Sequence, residues 1–370
     1  MGLAHAAGKT VFVSLAAPGD RLRVRVERQQ GNVMFASIEE ILSPSPVRVE
    51  PPCPYFGRCG GCDFQQLTYE AQLNAKAEMI RDCLHRIARI ENVPDIAVTP
   101  SANNWRYRMR ATWQIDREQQ TVGYYERGSR RVCDVADCAV LRPELEATLE
   151  RVRATAWSEF PAELKHLDAV ASEDGVSLSP SFGDFYTQEL SLMVRGETYH
   201  FNAEAFFQVN PSLLGPLIDF ALADASGDTV VDLYCGVGLF TLPLARRFKN
   251  AVGVESNPAA VRFARRNLQR AGLRNARVIN ATVTEWFKSS PAGPTDLVLL
   301  DPPRAGAESA VIAGILELRP ARICYVSCDP ATLARDLKKL LAGGFTLDSI
   351  LAFDLFPQTH HVETVVRLRR

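Results

Sequence analysis

The chain has 370 residues, 46% hydrophobic and 23% charged, with a formal net charge of -1. That balance describes a globular protein of two or three domains with a sizeable core, and excludes disordered and collagen-like chains. With charge so close to neutral, any nucleic-acid binding must come from local basic patches.

No apolar run reaches the ~18 residues of a membrane span, and the N-terminus lacks an apolar stretch of signal-peptide length. The nine cysteines are odd in number and clustered. In a long chain that pattern argues for metal or catalytic use in a reducing compartment, so the chain reads as cytoplasmic with no membrane partner.

Residues 10 to 40 alternate in short runs broken at Pro18-Gly19 and Gly31-Asn32, which predicts a small β-barrel or meander. In its middle run Leu22, Val24 and Val26 share one face and Arg21, Arg23 and Arg25 the other. The arginines form either a solvated edge or a strip for RNA phosphates. A Pro-rich linker at 43 to 54 then leads into CPYFGRCGGCDFQQL.

There Cys53, Cys59 and Cys62 are spaced C-x5-C-x2-C among glycines that let the backbone wrap an ion or cluster. Three thiolates leave a fourth ligand to be found. Cys138, opening an apolar segment in DVADCAVLRPE, is the first choice and Cys133 the reserve. The donor set suits an iron–sulfur cluster, with zinc as the main rival.

Leu73, Ala77, Ile80, Leu84 and Ile87 recur at helical spacing, predicting an amphipathic helix within 66 to 90, with Cys83 a core thiol inside it. In NWRYRMRATWQID, Arg106, Arg108 and Arg110 alternate with Trp105, Tyr107 and Met109. This predicts a strand whose basic face either grips RNA or is merely solvated. Residues 144 to 200 read as a helix followed by a β-region without evident chemistry. FNAEAFFQVNP then sets Gln208 and Asn210 among aromatics, a pair costly to bury without partners.

From Thr229 a strand–turn–helix rhythm predicts an α/β parallel sheet of about seven strands, the last antiparallel. Gly236-x-Gly238 is half a dinucleotide fingerprint, but Thr241 stands where the third glycine belongs, so a phosphate-cradling turn is not supported. Glu255 ends the second strand and can accept from ribose hydroxyls, which suits a nucleoside cofactor without pyrophosphate. Asp301 in DPPR and Cys328 in SCDP follow neighbouring strands, at the rim where open sheets bind ligands. A helix beginning near Ala331 would favour the Cys328 thiolate; the rival reading is an inert strand-end thiol.

CPYFGRCGGC with Cys138, FFQVN, DLYCGVG, GVE, DPPR, SCDPATLARD and FPQTHHVE together resemble the uracil-C5 RNA methyltransferases, specifically the iron–sulfur ribosomal RNA branch, over almost the whole chain. The resemblance implies a TRAM-like, OB-like β-barrel over 1-48, from which this sequence departs by beginning late, without a first strand. It also implies a central α+β domain over 49-200 bearing the cluster and an RNA surface, and a class I Rossmann-like methyltransferase domain over 201-370. It implies S-adenosylmethionine, with Gln208, Tyr234, Glu255 and Asp301 at cofactor positions, and a [4Fe-4S] cluster on Cys53, Cys59, Cys62 and Cys138. Cys328 matches the family's nucleophile and Glu363 its general base. One departure is ATVTE after the third strand, where many relatives carry Asn or Asp.

The chemistry agrees with the residues. Carbon 5 of uracil is a weak nucleophile, and a thiolate adding at carbon 6 turns it into an enolate. After methyl transfer a base must take the hydrogen from carbon 5, and Glu363 begins the last strand near the same rim. His360 and His361 rank lower, as turn residues shaped by Pro357. The expected function is methylation of one loop or flipped-out uridine of 23S ribosomal RNA to 5-methyluridine, by a monomer. The same reaction on transfer RNA is the first alternative; the barrel and the cysteines argue against it. A non-catalytic, cluster-bearing RNA-binding protein would not need Cys328 and Glu363, and an amino-group methyltransferase would not need Cys328.

Overall fold

The computed structural model describes residues 1–289 and 293–370. At the N-terminus β1 (Gly2–Ala6), β2 (Lys9–Val13), β3 (Arg21–Gln30) and β4 (Val33–Ser43) form one sheet in the order β1-β2-β4-β3. β1 precedes the run at residues 10 to 40, where no first strand was expected. Its side chains are largely exposed, so it carries no apolar alternation, and its ladder to β2 defines it instead. Along β3, Arg21, Arg23 and Arg25 point outward while Leu22 and Val24 pack toward Val11, Val13 and Ala36.

Helix α1 (Tyr69–Arg86) starts where the Thr68 hydroxyl accepts from Ala71 N, an N-cap of the usual kind. It buries Ile80 and Leu84, and with them Gln72 and Lys76. After β5 (Val98–Thr99), a middle sheet runs β10-β9-β6-β7-β8, built from β6 (Arg110–Asp116), β7 (Thr121–Tyr125), β8 (Val132–Asp134), β9 (His166–Ser172) and β10 (Gly175–Ser179). Helix α2 (Pro143–Ala154) packs Leu145, Leu149 and Val152 into the core of this sheet beside Trp113. The strand predicted through 105 to 110 begins only at Arg110, because Arg106 takes a left-handed φ of 53° that breaks the extension. A hairpin, β11 (Leu190–Val194) and β12 (Glu197–Phe201), leads to the last unit.

That unit comprises α3 (Leu214–Leu222), β13 (Gly227–Leu233), α4 (Thr241–Ala245), β14 (Phe248–Glu255), α5 (Pro258–Arg270), β15 (Ala276–Asn280) and α6 (Val283–Ser289). It continues with β16 (Leu297–Leu300), α7 (Ser309–Leu318), β17 (Arg322–Ser327), α8 (Pro330–Ala342), β18 (Thr346–Phe353) and β19 (Glu363–Arg369). The sheet order is β15-β14-β13-β16-β17-β19-β18-β5, with β13 to β17 parallel and β19 antiparallel to both neighbours. The centre of the parallel sheet is buried on both faces, as in the all-buried LVLL of β16. The unpredicted eighth strand is β5, whose two residues pair with β18. The order reverses beside β13, which opens a crevice at the carboxyl ends of β13 and β16. Among the described residues no helix is long and apolar enough to cross a membrane.

Candidate active site

Strand β16 delivers Asp301 to this crevice. Its N–H donates to Leu233 O at 3.3 Å, and its carboxylate accepts from Gln208 Nε2 at 3.3 Å. The other half of the polar pair, Asn210, serves the fold: it donates to Ser101 Oγ at 2.8 Å and accepts from Ser212.

Beyond β13 the chain turns through left-handed φ values at Tyr234, Gly236 and Gly238. At Gly238 an added Cβ would also meet Leu242 Cδ1 at 2.9 Å, so glycine is needed twice over. The turn folds onto Glu255, which accepts from Gly236 N at 3.0 Å and from Asn257 N at 2.7 Å. Amides that a pyrophosphate would use are thus already engaged.

Asp232, a buried acid whose role the sequence alone does not mark, lies on β13 just ahead of that turn. One oxygen accepts from Thr241 Oγ1 at 2.5 Å; the other, Oδ1, has no partner among the described residues. Burial pushes its carboxyl up to about 7, with Asp301 and Glu255 adding repulsion. Burial likewise pushes Asp301 up to about 7. Three acids so close together favour a cationic ligand.

Cys328 follows β17 directly. The antiparallel ladder of β17 with β19 ends at Ser327↔Thr364, so one further step brings Cys328 to Glu363. The expected thiolate-favouring helix end is not what the thiol meets. Asp329 caps α8, its carboxylate accepting from Thr332 N at 2.8 Å, so an acid stands where free amides were expected. Burial first, then Glu363 and Asp301, push the Cys328 thiol up to about 12, with Arg304 opposing. Glu363 is 2% exposed and its Oε1 has no partner among the described residues. Burial and Asp301 raise its carboxyl well above the usual range, again against Arg304. Arg304, the last residue of the DPPR turn, therefore eases ionisation of both groups. His361 is a poor base, since burial and the neighbouring His360 and Arg304 push its imidazole down to about 3. His360 pairs with Asp63 at 2.5 Å.

The cysteines form a second centre. Cys53, Cys59, Cys62 and Cys138 line one cavity of about 50 Å³ with Arg108 and Tyr124. Cys133 is near enough to Cys59 to help raise its thiol, yet it is wholly buried in β8 and lines no part of the cavity. Gly60 lets the loop dock on β7: its N–H donates to Tyr125 O at 2.9 Å, and a Cβ would lie 2.9 Å from that oxygen. Among the described residues no group of three or more His, Cys, Asp or Glu is arranged to hold a metal ion. Arg106, Arg108 and Arg110 do not form a basic strip. Arg106 pairs with Glu146 at 2.9 Å, Arg108 faces the cysteine cavity, and Arg110 donates to Ala203 O and Ala205 O at 2.8 Å each.

A family model described as tRNA (Uracil-5-)-methyltransferase matches residues 171–291 and 294–370, the part that carries Gln208, Asp301, Cys328 and Glu363. The chain belongs to this family. It is therefore an RNA (uracil-5-)-methyltransferase. The 23S rRNA (uracil(1939)-C(5))-methyltransferase RlmD of Pectobacterium atrosepticum is 35% identical, with 98% of this chain and 90% of that protein covered. An uncharacterized RNA methyltransferase of Gloeobacter violaceus is 33% identical over 98% of this chain and 92% of its own length. The crystal structure of Pyrococcus abyssi tRNA (uracil-54, C5)-methyltransferase, in complex with S-adenosyl-L-homocysteine, matches with a TM-score of 0.76 and 25% identity. That likeness covers 99% of this chain and 97% of the Pyrococcus chain.

Proposed function

We propose that this methyltransferase converts one uridine of 23S ribosomal RNA to 5-methyluridine, using S-adenosylmethionine. The observation that carries this reading is the β17–β19 register, which sets Cys328 beside Glu363 at the same crevice as Asp301. The cofactor fits the residues present: a cation suits the Asp232, Glu255 and Asp301 carboxylates, and a donor on it would satisfy the orphaned Asp232 Oδ1. Gln208, Tyr234, Glu255 and Asp301 are assigned to hold it. When bound, S-adenosylmethionine supplies an electrophilic methyl group.

The Cys328 thiolate bonds to uracil carbon 6, and the displaced π electrons form an enolate that makes carbon 5 nucleophilic. After carbon 5 has taken the methyl group, it carries both that group and its hydrogen. The Glu363 carboxylate accepts this proton; the C–H electron pair restores the C5–C6 double bond and Cys328 leaves as thiolate. Burial and the neighbouring acids disfavour ionisation of both groups in the free protein, and a cation in the crevice and Arg304 favour the ionised forms the reaction uses.

Ribosomal RNA is preferred as substrate because relatives named for 23S rRNA are 35% and 36% identical, against 25% for the Pyrococcus transfer-RNA enzyme. Acting as a monomer on an unpaired or flipped-out uridine, the enzyme would reach a base that a duplex hides. Cys53, Cys59, Cys62 and Cys138 would hold a [4Fe-4S] cluster. Four thiols around one cavity are the donor set that such a cluster takes. Its role would be structural, tying the 53–62 loop to Cys138.

The test offers purified protein methyl-labelled cofactor with 23S rRNA or transfer-RNA transcripts, and maps the label. Label at one 23S uridine is expected. Label in transfer RNA instead overturns the substrate, and label in neither overturns the reading.

A further inference from the structure

The segment from Asp354 to Val362 joins β18 to β19 and delivers Glu363. Glu363 Oε1 has no hydrogen-bond partner among the described residues, so the backbone on either side sets where this oxygen lies. Downstream, β19 is fixed by its ladders to β17 and β18. Upstream, the segment is held from a distant stretch of chain, residues 63 to 107.

Gln358 is the centre of that grip. It is 2% exposed and takes a left-handed φ of 68°, a conformation that persists in such a residue only where the surroundings over-determine it. All its polar groups are engaged. Its N–H donates to Gln72 Oε1 at 2.9 Å, and its carbonyl accepts from Asp63 N at 2.9 Å and Phe64 N at 3.0 Å. Its side-chain oxygen accepts from Gln72 Nε2 at 2.9 Å, and its Nε2 donates to Asn104 O at 3.2 Å. Tyr107 OH donates to Pro357 O at 2.9 Å. Lys76, wholly buried, pairs with wholly buried Asp354 and donates to Phe356 O at 3.0 Å. Gln72 and Lys76 stand four residues apart on α1 and therefore share one face. A buried lysine is costly unless paired, and the partners that satisfy this face belong to the segment ahead of Glu363.

We infer that Gln72 and Lys76 are positioning residues for Glu363, with α1 holding the 354–362 segment so that the carboxylate stays on uracil carbon 5 during elimination. The inference rests on the proposed role of Glu363 as base. In that step the C5–H bond breaks toward Glu363, the C5–C6 double bond re-forms, and the bond from carbon 6 to Cys328 sulfur breaks. Thiol addition and methyl transfer do not use Glu363, so displacing the segment slows release selectively.

Two variants test this. Lys76→Met with Asp354→Leu removes the ion pair without leaving a lone buried charge. Gln358→Gly keeps the left-handed turn, which glycine adopts freely, and deletes both side-chain bonds. Thermal unfolding verifies that each folds, and Glu363→Gln runs in parallel. Single-turnover methyl transfer from labelled cofactor and the fraction of RNA in covalent adduct on a denaturing gel are the readouts. Methyl transfer is expected within about twofold of wild type and adduct decay roughly tenfold or more slower, as for a misplaced catalytic group. Release at the wild-type rate, while Glu363→Gln accumulates adduct, overturns the positioning role. Equal slowing of all steps also overturns it. If Glu363→Gln accumulates no adduct, the base assignment fails and the inference falls with it.

Discussion

Cys328 meets Glu363 across the boundary between β17 and β19, one step beyond the Ser327↔Thr364 pair that ends their ladder. An antiparallel strand inserted into a parallel sheet achieves this. It brings the start of β19 to the end of β17, so nucleophile and base, far apart in sequence, stand on one rim.

Burial, and then this proximity to Glu363, disfavours the Cys328 thiolate in the free protein. With its thiol pushed up to about 12 by burial and two acids, only a small thiolate fraction exists near neutrality. Alkylation of the Cys328 peptide, followed by mass spectrometry, should accelerate about tenfold per pH unit from about pH 7 to about pH 10. A plateau reached below about pH 9 would show that the thiol ionises readily without ligand.

Asp232 illustrates a conflict between stability and binding. Its carboxyl is raised from 3.8 to about 7 in the folded state, so the folded protein binds more protons than the unfolded chain between those values. Stability from this group is full below the unfolded pKa and declines as pH rises through about 7. Asp232→Asn should therefore stabilise the cofactor-free protein at neutral pH, by at most about 4 kcal/mol, while weakening S-adenosylmethionine binding. Denaturant unfolding and calorimetric titration check the two effects. A variant that loses stability and binds the cofactor normally would contradict both.

The cysteine cavity separates Cys138 from Cys133. Anaerobically purified protein should be brown with about four irons per chain. Cys138→Ser should lose the iron, whereas Cys133→Ser should retain it. Stoichiometric zinc in place of iron would contradict the cluster assignment.

Of the two arginine groups, the one on β3 stays exposed. Replacing Arg21, Arg23 and Arg25 by Gln should reduce the log–log salt slope of RNA binding by roughly 2 to 3, with cofactor affinity unchanged. An unchanged slope would make this face merely solvated.

The α/β rhythm was legible because parallel strands buried on both faces read as plain apolar runs, and turns such as DPPR and SCDP mark where they stop. β5 was not, since two residues carry no periodicity. The strand expected through Arg106 is broken by that residue's left-handed turn, and Arg108 at the cysteine cavity and Arg110 on two carbonyls lie inside, which alternation cannot reveal. Asp232 and Glu363 are ordinary acids in the sequence, and burial beside other carboxylates makes them unusual. Gln72 and Lys76 are polar residues of an amphipathic helix, and only their contacts with the segment ahead of Glu363 show why they are buried.

Trapping the covalent adduct tests the role of Cys328 as nucleophile most directly. With 5-fluorouridine at the target, fluorine cannot leave carbon 5 as a cation, so the methylated intermediate persists. Wild-type protein with such RNA and methyl-labelled cofactor should give a labelled covalent band, whose peptide carries the RNA on Cys328. Cys328→Ala should bind RNA and cofactor but give no band and no methylated uridine. An adduct on another residue, or a Cys328→Ala enzyme that still methylates, would contradict the account.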